Sequence, residues 1–93
     1  MPELEIGMMK RFAFVYLMQD EPERAADIAP KHVGYWHSLS LPEYEGGPFV
    51  DRSGGLIIFA AEDHEAAADF ARDDPFMREN LLAQCWLKEW VNE

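Results

Sequence analysis

Cysteine is nearly absent from this 93-residue chain: Cys85 is the sole thiol. One thiol closes no internal disulfide and builds no cysteine zinc site, so stability has to come from packing, and the usage fits a reducing, cytoplasmic setting. Positive charge is scarce as well. Eight lysines and arginines stand against eighteen acids, a net charge of −10. That balance repels phosphate backbones and anionic lipid headgroups, which excludes nucleic acid and membrane surfaces as expected partners. Long apolar runs are missing too. "KRFAFVYLM" (10–18) has the charge-then-apolar look of a leader, but only seven apolar residues precede "QDEPE". It falls far short of the ~20 residues of a membrane span and has no small-residue cleavage pattern after it. Repeats, low-complexity tracts and linkers are also lacking, and two cores in a chain this short would each be too small to fold, so one domain is expected.

What is present suits a folded domain: 48% of residues are hydrophobic and 13% aromatic. A monomer of this size buries only about 60 to 65% of its unfolded surface, so association would help it. Residues 1–10, beginning "MPELEIGM", fit no element and are read as an N-terminal extension, with Met8 or Met9 as an alternative start. The domain is placed at 11–93.

The elements are short and alternate in type. "RFAFVYLM" (11–18) is a strand with Phe12, Phe14, Tyr16 and Met18 on one face and Ala13, Val15 and Leu17 on the other. A helix opens at 21–28 and restarts at Pro30, because proline is favoured in a first turn and disfavoured inside; a bent or two-part helix is expected over 21–41. Strands follow near 44–51 and 55–61, joined by a glycine-containing turn at 52–54. Asp63 is the expected N-cap of a helix over "HEAAADFAR", which must stop by Asp73 or Asp74 because Pro75 biases its predecessor away from helix. The last segment, "LLAQCWLKEWVNE", reads either way: Trp86 and Trp90 share a helix face, yet 84, 86, 88 and 90 share a strand face. A helical turn at 76–81 followed by a strand makes the order β-α-β-β-α-β. The fold expected is therefore α+β, a ferredoxin-like antiparallel sheet with both helices on one face. Strands 11–18 and 55–61 are apolar on both sides, so the uncovered face presents a patch that a sheet-to-sheet homodimer would bury.

For chemistry, the histidines come first. On a helix from Pro30, His32 shares a face with Tyr35, Trp36 and Leu39 and points to the core. His37 lies about 140° away around the helix, so the two do not share a metal, and His64 reads as solvated. A single core histidine is most simply a hydrogen-bonded structural residue. Asp74 offers an alternative: in this fold its loop lies near the first helix, where a carboxylate can accept the ring N–H and leave the other nitrogen to move protons. Asp74 as a plain helix stop is the simpler reading of the sequence. "GGP" (46–48) and "SGG" (53–55) are turn signals first. A functional reading has Gly55 admitting a ligand to the sheet with Ser53 offering a hydroxyl. Tyr16, Trp36 and Trp86 are core or interface residues, or walls of a pocket for a small aromatic molecule.

"HVGYW" after a proline, "EGGPFVDRSGGLIIF", and "AADFARDDPF" before a tryptophan-bearing last strand resemble the YCII-related family, in order and spacing, over residues 11–91. The resemblance implies a ferredoxin-like fold pairing as a dimeric α/β barrel, with a His-Asp active site at His32 and Asp74. It implies little about substrate; the family's best-known activity is dehydrochlorination of a chlorinated hydroxyquinol. Many relatives carry Arg-Pro-x-His at the helix start, whereas this chain has Ala29-Pro30-Lys31-His32, with Lys31 the nearest replacement for the arginine.

The function expected is general acid–base chemistry, elimination or isomerisation, on a small organic molecule, aromatic ones included. His32 and Asp74 are the catalytic pair, Tyr16, Trp36, Ser53, Gly55 and Trp86 the substrate contacts. Nothing in the sequence calls for a cofactor or metal. The alternatives are a non-catalytic small-molecule-binding or accessory dimer and a purely structural dimer in which the pair is a satisfied polar contact.

Overall fold

The structure is a computed structural model and describes residues 9–91 and 93; most of the N-terminal extension, Met8 included, lies outside that range. Strand β1, Lys10–Met18, is followed by helix α1, Pro22–Ser38, strands β2, Glu45–Pro48, and β3, Gly54–Ala61, helix α2, His64–Arg72, a single helical turn α3, Pro75–Arg78, and strand β4, Leu82–Glu89. All pairings are antiparallel in the order β2-β3-β1-β4, the ferredoxin-like arrangement. The final segment is the strand that the alternation favoured. Among the described residues no helix is long and apolar enough to cross a membrane.

Register fixes which residues meet. Phe12 pairs with Phe59, Phe14 with Ile57 and Leu87, and Tyr16 with Gly55 and Cys85. Because side chains alternate, the Phe12–Phe14–Tyr16 row lies under the helices, where Trp36 of α1, Ala67 and Ala71 of α2, Phe76 of α3 and Leu81 complete the core. Ala13, Val15 and Leu17 point the other way, and all three are only partly buried.

Two local expectations need correction. Helix α1 runs unbroken for 17 residues with Pro30 inside it. Pro30 has no N–H for the Ala26 carbonyl, a loss of about 3 kcal/mol in an isolated helix. Both Pro30 and Ala26 are exposed, so the freed carbonyl meets solvent, and the burial of His32 and Trp36 one turn further on holds the helix together. Strand β2 is four residues long, not eight, because Phe49 turns the chain: its N–H donates to the Gly54 carbonyl at 2.8 Å. In that turn the left-handed residue is Arg52, φ 65°, and not a glycine.

Candidate active site

Asp73 and Asp74 separate α2 from α3, and Pro75 forces Asp74 into an extended conformation, φ −57° and ψ 130°. This break turns the Asp74 side chain inward, where it is 0% exposed. One oxygen caps α3 by accepting the Phe76 N–H at 2.8 Å; the other accepts the Trp36 indole N–H at 2.9 Å. His32 Nδ1 lies 2.8 and 2.9 Å from the two oxygens. Every partner is a donor, which matches an ionised carboxylate and offsets the cost of burying its charge. Asp74 is thus both the helix stop and the partner of His32.

His32 comes from the middle of α1, 7% exposed, with its ring stacked on Phe76 at 4.1 Å between centroids and 15° between planes. Since Asp74 only accepts, Nδ1 carries the ring proton in the neutral imidazole, and Nε2 is left as an acceptor. Nε2 faces the Tyr16 hydroxyl at 3.2 Å. Tyr16 is 4% exposed, and burial first, then the nearby Asp74 charge, pushes its pKa up to about 12. The phenol therefore stays protonated across the neutral range and donates to His32.

Tyr16 stands at the bottom of a cleft of about 720 Å³. Its origin lies in one face of α1. Pro22, Ala26, Ala29, Val33 and Trp36 follow one another at steps of four and three residues, so they share a side of the helix. In the C-terminal half of that face His32 and Trp36 fill the space against the sheet; in the N-terminal half alanines stand where a core would need larger side chains. The hollow left over Tyr16 is closed by Met18, Pro48, Ser53, Gly54 and Phe76. Gly54 and Gly55 are buried, and a β-carbon on Gly55 would collide with the Tyr16 hydroxyl.

Most of the residues expected at the site converge. His32, Asp74, Trp36 and Tyr16 form one hydrogen-bonded network, and Tyr16 and Ser53 face the cleft. Three details differ from expectation. Trp36 is 1% exposed and contributes its N–H to Asp74, not a wall to the cleft. The space beside Gly55 is taken by Tyr16, so this glycine makes room for a side chain and not for a ligand. Trp86 pairs with Val15 and so lies on the opposite face of the sheet, 44% exposed, remote from His32. Nε2 of His32 does not open into the cleft: it bonds the Tyr16 hydroxyl, and His32 is not among the lining residues. Of the lining residues only Tyr16 and Ser53 were expected at the site; among the others, Phe76 and Arg52 bear on its chemistry. Phe76 could have been found from its position directly after Asp74-Pro75, while Arg52 carried no signal beyond its place in a turn. Lys31 is exposed and not among the lining residues, whereas Ala29 is.

Comparison with known proteins agrees with this architecture. No curated protein matches the chain. Among solved structures, 5-chloro-2-hydroxyhydroquinone dehydrochlorinase (TftG) from Burkholderia phenoliruptrix AC1100, in complex with 2,5-dihydroxybenzoquinone, superposes with a TM-score of 0.77 over 89% of this chain and 95% of that one. At 21% identity the likeness is one of fold. The model of the YCII-related domain matches residues 9–91, nearly the whole sequence, and the chain accordingly belongs to the YCII-related domain family.

Proposed function

We propose that this protein is a small-molecule enzyme that performs general acid–base chemistry, an elimination or isomerisation, in the cleft above Tyr16. The observation that carries the reading is the hydrogen-bonded chain Asp74–His32–Tyr16, which runs from a fully buried carboxylate to a hydroxyl on the cleft floor. A substrate C–H or O–H bond placed over Tyr16 gives its proton to the phenol oxygen while the phenol's own proton passes to His32 Nε2. A free phenolate with a pKa of about 12 is inaccessible near neutrality, so the two transfers are coupled and the imidazole is the effective base. Asp74 holds the ring and stabilises the imidazolium formed. Return of the proton to a different substrate atom completes an isomerisation; departure of an anion from the neighbouring carbon completes an elimination. The fold likeness to a dehydrochlorinase makes hydroxylated and chlorinated single-ring aromatics the first class to test.

The protein acts as a homodimer in this reading, joined through the open sheet face. Ala13, Val15 and Leu17 of β1, Leu56 and Ile58 of β3 and the half-exposed Trp86 make that face apolar without any helix over it.

The test is chloride release from 5-chloro-2-hydroxyhydroquinone, together with deuterium exchange from heavy water into a panel of dihydroxybenzenes followed by proton NMR. Tyr16→Phe and His32→Ala should each lower the rate by about 10²- to 10⁴-fold. Rates in both variants equal to wild type would end the acid–base reading. One observation favours a binding module instead: Nε2 is already satisfied by Tyr16, so His32 touches nothing in the cleft. That reading predicts saturable binding of the same compounds with no exchange in any variant.

A further inference from the structure

Five arginines occur in the chain. Four are engaged with carboxylates: Arg11 with Glu43, Arg24 with Glu21 and Glu79, Arg72 with Asp69, and Arg78 with Asp73. Arg52 alone forms no ion pair among the described residues, in a protein with ten surplus acids, and it lines the cleft. Among the described residues that line that cleft, it carries the only positive charge.

Its backbone is left-handed, as it also is at Ser40, Glu43 and Asn80. At φ 65° Arg52 occupies the left-handed region, which glycine enters freely and which a side chain enters with strain. The turn is nevertheless pinned. Arg52 N–H donates to the Phe49 carbonyl at 2.9 Å, Phe49 N–H to the Gly54 carbonyl at 2.8 Å, and Met18 N–H to the Ser53 carbonyl at 2.8 Å. Asp51, the nearest acid in sequence, spends an oxygen on the Ser53 N–H at 2.9 Å. The direction in which Arg52 leaves the backbone is thereby fixed.

From these observations we infer that Arg52 anchors an acidic oxygen of the molecule that occupies the cleft, so that the natural ligand is a small ring-bearing anion. Planar guanidinium matches a carboxylate through two parallel N–H donors. Pro22, Ala25, Ala29, Val33 and Phe76 provide apolar wall for the ring. Asp20, on the same rim, repels a second acidic group and limits the ligand to one anionic end. The inference rests on the proposed use of this cleft and specifies its substrate class.

Binding alone tests it. Hydroxybenzoates and their uncharged hydroxybenzamide counterparts are titrated by calorimetry or NMR against wild type, Arg52→Gln, Arg52→Gly and Tyr16→Phe. Wild type should prefer the acids by at least about tenfold, a preference that fades as salt rises. Arg52→Gln and Arg52→Gly should abolish the preference by weakening the acids only. Arg52→Gly should also raise the melting temperature by about 4 °C by relieving the strained φ, which separates loss of binding from loss of fold. Tyr16→Phe should retain the preference. An unchanged acid-to-amide ratio in Arg52→Gln overturns the inference, as does the absence of saturable binding by any acid up to 10 mM. Preferred binding of acids with no turnover would keep the anchor and defeat the acid–base reading; turnover of neutral compounds at equal efficiency would do the reverse.

Discussion

Strand β1 presents two different chemistries on its two sides. Phe12, Phe14 and Tyr16 lie under the helices and are almost completely buried, and the row ends in the only buried polar cluster among the described residues, Tyr16, His32 and Asp74. The intervening Ala13, Val15 and Leu17 are half-buried aliphatics on the open side, next to Trp86. A polar group survives under the helices because every donor and acceptor there has a partner; a half-satisfied network would cost more than an apolar core. The open face is built differently. It is mostly aliphatic area, with Arg11 at one end, whose buried Nε has no hydrogen-bond partner among the described residues; such a face suits a second copy of the chain and not a reacting molecule.

Removing the acid at the centre of the covered face should be the most damaging single change. Asp74→Ala leaves the His32, Trp36 and Phe76 N–H donors without an acceptor, and the expected loss is about 3 to 5 kcal/mol, read as a fall in the urea midpoint at constant slope. Asp74→Asn should also fall short of wild type, because its amide nitrogen presents donors to donors. A loss below about 1 kcal/mol for Asp74→Ala would mean that the cluster is ornamental and the two faces are less different than they look.

A matched pair of glycines sharpens the contrast further. A β-carbon at Gly55 meets the Tyr16 ring and hydroxyl and the Gly47 carbonyl, while one at Gly47 on the neighbouring strand has nothing within 4 Å. Gly55→Ala should cost about 1 to 3 kcal/mol and separate Tyr16 from His32, lowering activity with stability. Gly47→Ala should stay within about 0.5 kcal/mol of wild type. Tyr16→Phe should recover part of the Gly55→Ala loss; a loss unchanged in that background would show that the clash with the Gly47 carbonyl, and not the fit against Tyr16, governs the effect.

Much of this was legible in the chain, and what was not has physical causes. Alternation along 11–18 and 55–61 gave both faces of the sheet, and the proline after Asp74 gave the break that aims its carboxylate. The spacing from His32 to Trp36 gave the inward side of α1, but not that Trp36 would donate to the same acid, since a hydrogen bond between residues 38 apart depends on tertiary packing. Pro30 misled because propensity speaks for isolated helices, and here the buried residues after it outweigh the lost bond. Trp86 misled because residue type says nothing of the face; only the register with Val15 does. Arg52 was hidden for the same reason: a left-handed arginine is not readable where neighbouring glycines offer themselves for the turn.

Alkaline titration probes the covered face without substitution. Tyr16 and Tyr35 are both pushed up to about 12, chiefly by burial, and Tyr44 is raised for the same reason. A pKa raised by folding favours the protonated native state, so this contribution is complete below about pH 10, the unfolded value, and is lost as pH climbs towards 12. Phenolate absorbance near 295 nm should therefore appear above pH 10 in the native protein and near 10 in urea. Coincident curves would place the tyrosines in water.

The open face should respond least in the fold and most in assembly. Trp86→Lys places a cation among the half-buried aliphatics at an exposed position of β4, and monomer stability should change by no more than about 0.5 kcal/mol. If two copies meet through this face, the same change buries two unpaired charges across the twofold axis, and association should weaken by several orders of magnitude. Sedimentation equilibrium at several concentrations then separates the two quantities. A dimer in wild type that becomes a monomer in Trp86→Lys, with an unaltered urea slope for the monomer, assigns the face to self-association. A dimer that persists in Trp86→Lys places the interface elsewhere, and the apolar row on β1 would then need another occupant.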